Sequence, residues 1–236
     1  MSQTPTPSMV YDILEACAHP GCPLCRVSRR WAERFVAAIL YEEVTDPHTR
    51  GRLRDSFGFC REHAWQATEV GGTLLGMSII YRSLLNHLAG ELEKPVSTSR
   101  GNWWQALGGR RDVDAASGLF AATECPACIH LRGMEDAALI ALTDALPDNA
   151  SLRAGLAQSH SGLCLPHLRQ ALTLARSDAA IEILREDTRR RLRALVGELD
   201  EFIRKYDHRF NKEAWGAEHD SWERAVLWMV GGARES

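Results

Sequence analysis

Eight residues of this chain have the types and spacing of metal ligands. Cys22-Pro23-Leu24-Cys25 is followed, after a long gap, by Cys60-Arg61-Glu62-His63. Cys125-Pro126-Ala127-Cys128 is followed, after a similar gap, by Cys164-Leu165-Pro166-His167. Cys125 stands 103 positions after Cys22, and Cys164 stands 104 after Cys60. A soft divalent ion takes thiolate and imidazole donors, commonly four in a tetrahedron. CPxC puts two sulfurs on one turn, and CxxH puts a sulfur and a nitrogen on another. Two such half-sites close a Cys3His shell, which is a structural zinc set. The order of the motifs predicts one shell per copy: Cys22, Cys25, Cys60 and His63 in the first, Cys125, Cys128, Cys164 and His167 in the second. Two Zn2+ ions are the expected cofactors. Iron–sulfur clusters on the same ligands are the alternative, although such clusters are more often held by four cysteines.

The elements that must position these ligands are helical. Pro23 and Pro126 suit the first turn of a helix, and helical periodicity follows both. Gly58 and Gly162 precede Cys60 and Cys164, which also open helical stretches. Each site is therefore expected where two helix N-termini converge, and the positive helix ends should favour thiolate over thiol. Helices are predicted over about 23–45, 47–56, 61–70, 73–93, 126–145, 150–158, 164–175 and 178–206. Val27, Trp31, Phe35, Ala38 and Ile39 form one stripe at helical spacing. Leu74, Leu75, Met77, Ile80, Leu84, Leu85 and Leu88 form another. Ile181, Leu184, Leu192, Leu195, Val196, Leu199 and Phe202 form the stripe of the last long helix. Asp46 as N-cap before Pro47 opens a short helix. Asp220 with Glu223 has the form of a capping box, and Trp222, Ala225, Val226 and Met229 are expected to dock on the bundle.

The reading is all-α: an internally duplicated helical bundle with two metal-binding Cys3His sites at helix N-termini. Residues 1–94 make the first metal-binding repeat, 95–120 a linker, 121–206 the second repeat, and 207–236 a tail with a docking helix. Residues 1 to about 9 are expected to be disordered. Trp103 and Trp104 interrupt the linker, and the area they can bury favours packing back on the helices over an exposed contact site. Cys17 has no counterpart in the second half and reads as a small buried hydrophobe.

Composition narrows the function. The chain has 236 residues, 45% hydrophobic and 25% charged, with a net charge of −3. That is no footprint of a broad nucleic-acid binder. Arg189, Arg190 and Arg191 read as a solvated helix face. The polar, proline-rich start has no secretory signal, and no apolar run reaches membrane-spanning length. A reducing cytoplasm is the expected compartment, where cysteine clusters bind metal more often than they pair. A disulfide framework also gives no reason for a histidine three residues after the third cysteine of both copies.

Enzymatic chemistry has weaker support. Glu62 lies between Cys60 and His63 and has the type of a general base, but Pro166 stands at the matching place in the second copy. Glu62 suits the helix N-terminus electrostatically. There is no nucleophile elbow, phosphate loop or HExxH motif. An enzyme with an unrecognised active site remains a third reading, behind a non-catalytic scaffold for an unidentified protein partner and a redox protein.

Several stretches also carry a resemblance. Cys22-Pro23-Leu24-Cys25-Arg26, Leu40-Tyr41-Glu42, Asp46-Pro47, Gly58-Phe59-Cys60-Arg61-Glu62-His63-Ala64-Trp65, Cys164-Leu165-Pro166-His167-Leu168-Arg169 and Asp220-Ser221-Trp222 resemble an uncharacterised family of bacterial and archaeal proteins classed as a domain of unknown function. The resemblance implies one duplicated architecture over most of the chain and supplies no activity.

Overall fold

Proline and short polar residues set the helix starts of this chain. Asp46 Oδ1 accepts the Thr49 N–H at 2.7 Å, with Pro47 at the first helical position. Asn149 Oδ1 accepts the Leu152 N–H at 2.9 Å. Both bonds satisfy amides that the first turn leaves unpaired. The computed structural model describes residues 7–94, 118–210 and 212–232. Among them are ten α-helices and no strand. They are α1 (Pro7–Ala16), α2 (Pro23–Tyr41), α3 (Pro47–Asp55), α4 (Arg61–Glu69) and α5 (Leu74–Glu93), then α6 (Pro126–Ala145), α7 (Ala150–Gln158), α8 (Leu165–Leu174), α9 (Asp178–Lys205) and α10 (Ser221–Val230). A 3-10 turn at Ala217–Asp220 precedes α10. Trp103 and Trp104 lie outside the described residues.

The helices gather into two units, 1–31 with 131–236, and 32–130. This grouping cuts across the sequence halves. The start of α2 belongs to the first unit and its remainder to the second, and α6 divides the opposite way. In the first unit Ile13, Leu24, Val27 and Trp31 pack with Leu139, Leu142, Leu152 and Leu184. Met9 joins this core from α1, which starts at Pro7 within the stretch expected to be disordered; residues 1–6 lie outside the described residues. Cys17 lies in the same core, and burial pushes its thiol up to about 11.

In the second unit Val36, Ile39, Leu40 and Val44 pack with Leu53, Phe59, Ala67, Ile80, Leu84 and Ala127. α5 approaches α2 closely through Gly76, where an added Cβ would stand 2.2 Å from the Leu40 carbonyl oxygen. Only part of the α5 stripe is core. Ile80 and Leu84 are buried, whereas Leu74, Leu75 and Leu85 are exposed. On α9, Leu184 is buried but Val196 is exposed.

Three further expectations change. α10 packs on α8 and α9, but Trp222, Val226, Met229 and Val230 face outward. The docked side instead carries Arg224, paired with Glu198, and Trp228, packed on the core. Asp220 forms no side-chain cap, because its Oδ1 accepts from Arg224 Nε at 2.7 Å. Arg191 is not part of a solvated face. Its guanidinium donates to the Ser159 and Leu156 carbonyls at the end of α7, while Arg189 and Arg190 are solvated as expected and pair with Glu186 and Asp187.

Candidate metal centres

The first cysteine of every pair stands at a helix start. Cys22, Cys60, Cys125 and Cys164 each offer a carbonyl to the amide four residues on, which is the first bond of α2, α4, α6 and α8. Glycines bend the chain just before two of these starts, Gly58 at φ +90° and Gly162 at φ +62°. A side chain with a Cβ resists those backbone angles. In the second case Arg191 holds the bend from α9.

All eight predicted ligands come together, in two groups of four, with the donor atoms of each group within 4.8 Å of one another. The groups are crossed. Cys22 and Cys25 meet Cys164 and His167, and Cys60 and His63 meet Cys125 and Cys128. Each CPxC is completed by the CxxH of the other copy, so the pairing within copies is corrected. The cause lies in the helix that follows each CPxC. At about 1.5 Å per residue, the 16 residues of α2 beyond Cys25 carry the chain ~24 Å along the helix axis. Within the first unit, the start of α2 packs instead with the far half of α6, next to Cys164.

In the first centre, Cys25 Sγ lies 3.7 Å from Cys164 Sγ. His167 Nδ1 lies 3.5, 3.4 and 3.3 Å from the sulfurs of Cys22, Cys25 and Cys164. In the second, Cys60 Sγ lies 3.6 Å from Cys128 Sγ, and His63 Nδ1 lies 3.2, 3.8 and 3.4 Å from Cys60, Cys125 and Cys128. A tetrahedron with Zn–S of about 2.3 Å and Zn–N of about 2.0–2.1 Å has S···S edges near ~3.8 Å and S···N edges near ~3.6 Å. The donor sets therefore fit one tetrahedral ion per centre.

The surroundings differ. Behind His167, Glu135 Oε1 stands 3.6 Å from Nε2, within ion-pair range. A carboxylate behind a ligating imidazole fixes its tautomer and raises its basicity. Burial opposes charge on His167, but Cys164, Cys25 and Glu135 outweigh it and push the imidazole up to about 11. Contacts from Cys22 and Cys25 hold the Cys164 thiol far below its usual range, helped by the His167 side chain and backbone amide. Burial pushes Cys22 well up, with Cys164 and Cys25 adding to it. At the second centre, burial with Cys60 and Cys125 beside it pushes Cys128 up to about 12. Tyr81 lies nearby, and its phenol is raised by burial and then by Cys125.

Two contacts at the first centre had no legible motif. Glu135 is one acid among several on α6. The Gly232 N–H donates to Cys25 Sγ at 3.2 Å, although a Gly-Gly pair after a helix reads only as a stop. Glu62 lies in the first turn of α4, as its helix-end reading requires. Among the described residues no helix is long and apolar enough to cross a membrane.

No curated protein and no solved structure matches this chain. A family match spans residues 9–236, and the chain belongs to the Family of unknown function (DUF6062).

Proposed function

We propose that each centre holds one structural Zn2+ ion, and that the protein is a zinc-stabilised helical scaffold with a non-catalytic role in binding a protein partner. The observation that carries this reading is that Nδ1 lies 3.2–3.8 Å from three sulfurs in both centres, with one sulfur pair in each at 3.6–3.7 Å and all four donors within 4.8 Å. Iron–sulfur clusters interpose sulfide between two or more irons and spread their protein ligands wider than one ion does. The spacing therefore favours zinc over the cluster reading. Four protein donors fill the tetrahedron, the arrangement of structural rather than catalytic zinc.

The zinc would be held by Cys22, Cys25, Cys164 and His167 in one centre and by Cys60, His63, Cys125 and Cys128 in the other. Each ion would pin two helix starts that the chain connects only over long distances. Exposed apolar side chains support the interaction role. Trp65, Leu74 and Leu75 are 68%, 80% and 73% exposed, and α10 presents Trp222, Val226, Met229 and Val230. Contiguous apolar surface marks contact sites, and these side chains are the candidates to form one. A cytoplasmic setting, where thiols stay reduced, completes the reading.

The test is metal analysis and a visible spectrum on protein purified without oxygen. About two zinc per chain and no colour is the expected result, given the two four-donor sets. Iron with acid-labile sulfide and a brown colour would overturn it in favour of a redox protein.

A further inference from the structure

The C-terminal end of α10 lies against the first centre. Gly231 has φ +79° and ψ −176°, a backbone region essentially restricted to glycine. A Cβ on Gly231 would stand 3.2 Å from Cys164 Sγ and 3.4 Å from Cys25 Sγ. The backbone therefore crosses close over the two sulfurs, and a Cβ there would be strained by the backbone angles and tight against Cys164 Sγ. The next amide, Gly232 N–H, points at Cys25 Sγ at 3.2 Å. Cys25 is the more accessible of these two sulfurs, since Cys22 and Cys164 are buried and Cys25 only partly so. An amide donating to a ligating thiolate neutralises part of its charge and shields it from competing donors. α10 is anchored for this by Arg224 to Glu198, by fully buried Ser221 and by Trp228.

We infer that Gly231-Gly232 is a backbone cap on the first metal centre: it retards loss of that ion, and the ion in turn holds α10 in its docked position. The inference rests on the zinc reading. It makes the two centres unequal. Among the described residues, no backbone N–H from a distant segment donates to the sulfurs of the second centre. Metal release from the first centre then requires the end of α10 to lift, and loss of that ion frees the helix that carries the Trp222, Val226 and Met229 face.

The experiment uses the full chain loaded with zinc and challenged with a chromogenic chelator. Cys22→Ser, which lacks a first-centre ligand, identifies the release phase of that centre. Gly231→Ala forces a Cβ against the sulfurs, and Gly232→Pro removes the amide and cannot adopt the φ of +116° found there. Both should speed first-centre release by ~10–100-fold, the usual effect of losing an outer-shell partner, and leave the second phase unchanged. Lys212→Ala, at an exposed position away from the cap, should move neither. On the unaltered protein, chelation should raise amide exchange across residues 221–232 as the first-centre ion leaves. Two ions released at unchanged rates by both glycine variants, or both phases speeded alike, would overturn the cap alone. So would exchange in α10 that is indifferent to metal. A wild-type chain that holds no metal overturns the zinc reading and the cap with it.

Discussion

The crossed ligand sets make a prediction that the sequence pattern alone would make the other way round. Cys22 and Cys164 belong to one centre, and Cys22 and Cys60 to different ones. A Cys22→Ser/Cys164→Ser double variant should therefore retain one ion, and Cys22→Ser/Cys60→Ser should retain none. Stability should follow the same arithmetic. An ion present at 1,000 times its Kd stabilises the folded chain by about 4.1 kcal/mol. Each single variant should lose about that much. The Cys22/Cys164 pair should lose little more, because the second change removes a ligand from a centre already broken. The Cys22/Cys60 pair should lose about twice as much, since distant independent sites add. The assay is metal content by mass spectrometry, with denaturant melts at fixed free zinc on the same preparations. If Cys22→Ser/Cys60→Ser kept one ion while Cys22→Ser/Cys164→Ser kept none, the within-copy pairing would stand and the crossed packing of α2 and α6 would be wrong.

Other outcomes follow from single contacts. Glu135→Gln should weaken zinc binding at the first centre by ~10–100-fold in chelator competition and spare the second, because Glu135 backs His167 only. Gly76→Ala should cost about 1–3 kcal/mol in a thermal melt, since the new Cβ meets the Leu40 carbonyl and not a movable side chain. Arg191→Ala should destabilise the chain and loosen the first centre, read as faster amide exchange over residues 156–164, because it strips two carbonyls at the end of α7 of their donor. The Lys205 ammonium holds the Glu218 carboxyl down to about 2, helped by the Gly216 amide. A depressed carboxylate contributes stability above its unfolded value of about 4.3 and loses it as pH falls through the folded value. The stability gap between wild type and Glu218→Gln, measured by urea melts, should be full near pH 6 and close on approach to pH 2.

Helix starts were legible because the chemistry that makes them is local. Pro23, Pro47 and Pro126 open α2, α3 and α6 where the sequence placed them. The ligand types were legible for the same reason, since CPxC and CxxH each act within one turn. Which turn meets which was not, because that depends on where a ~28 Å helix delivers the chain rather than on motif order. The apolar stripes failed in a related way. Leu74, Leu75 and Leu85 share a helix with Ile80 and Leu84, but only residues facing α2, α3 and α4 are covered. On α10 the pattern picked out Trp222, Val226 and Met229, yet the helix docks through Arg224 and Trp228, an orientation that carries Gly231 onto the sulfurs of Cys25 and Cys164.

Crossing also changes what a bound ion does to the unfolded chain. Within one copy, Cys25 and Cys60 would close a loop of 35 residues. The observed partners Cys25 and Cys164 are 139 apart, and Cys60 and Cys128 are 68 apart. Each doubling of a closed loop adds about 0.6 kcal/mol of chain entropy, so the first centre constrains the unfolded chain by ~1.2 kcal/mol more than a within-copy site would, and the second by ~0.6 kcal/mol more. The larger effect is topological. In the first unit a bound ion would join the start of α2 to the start of α8, and with the donor sets crossed neither sequence half would complete its own centre. Folding must bring segments from both halves together before either ion is fully ligated. A fragment ending at residue 94 should therefore fail to form a four-ligand centre, although it contains an entire Cys22-Cys25-Cys60-His63 set.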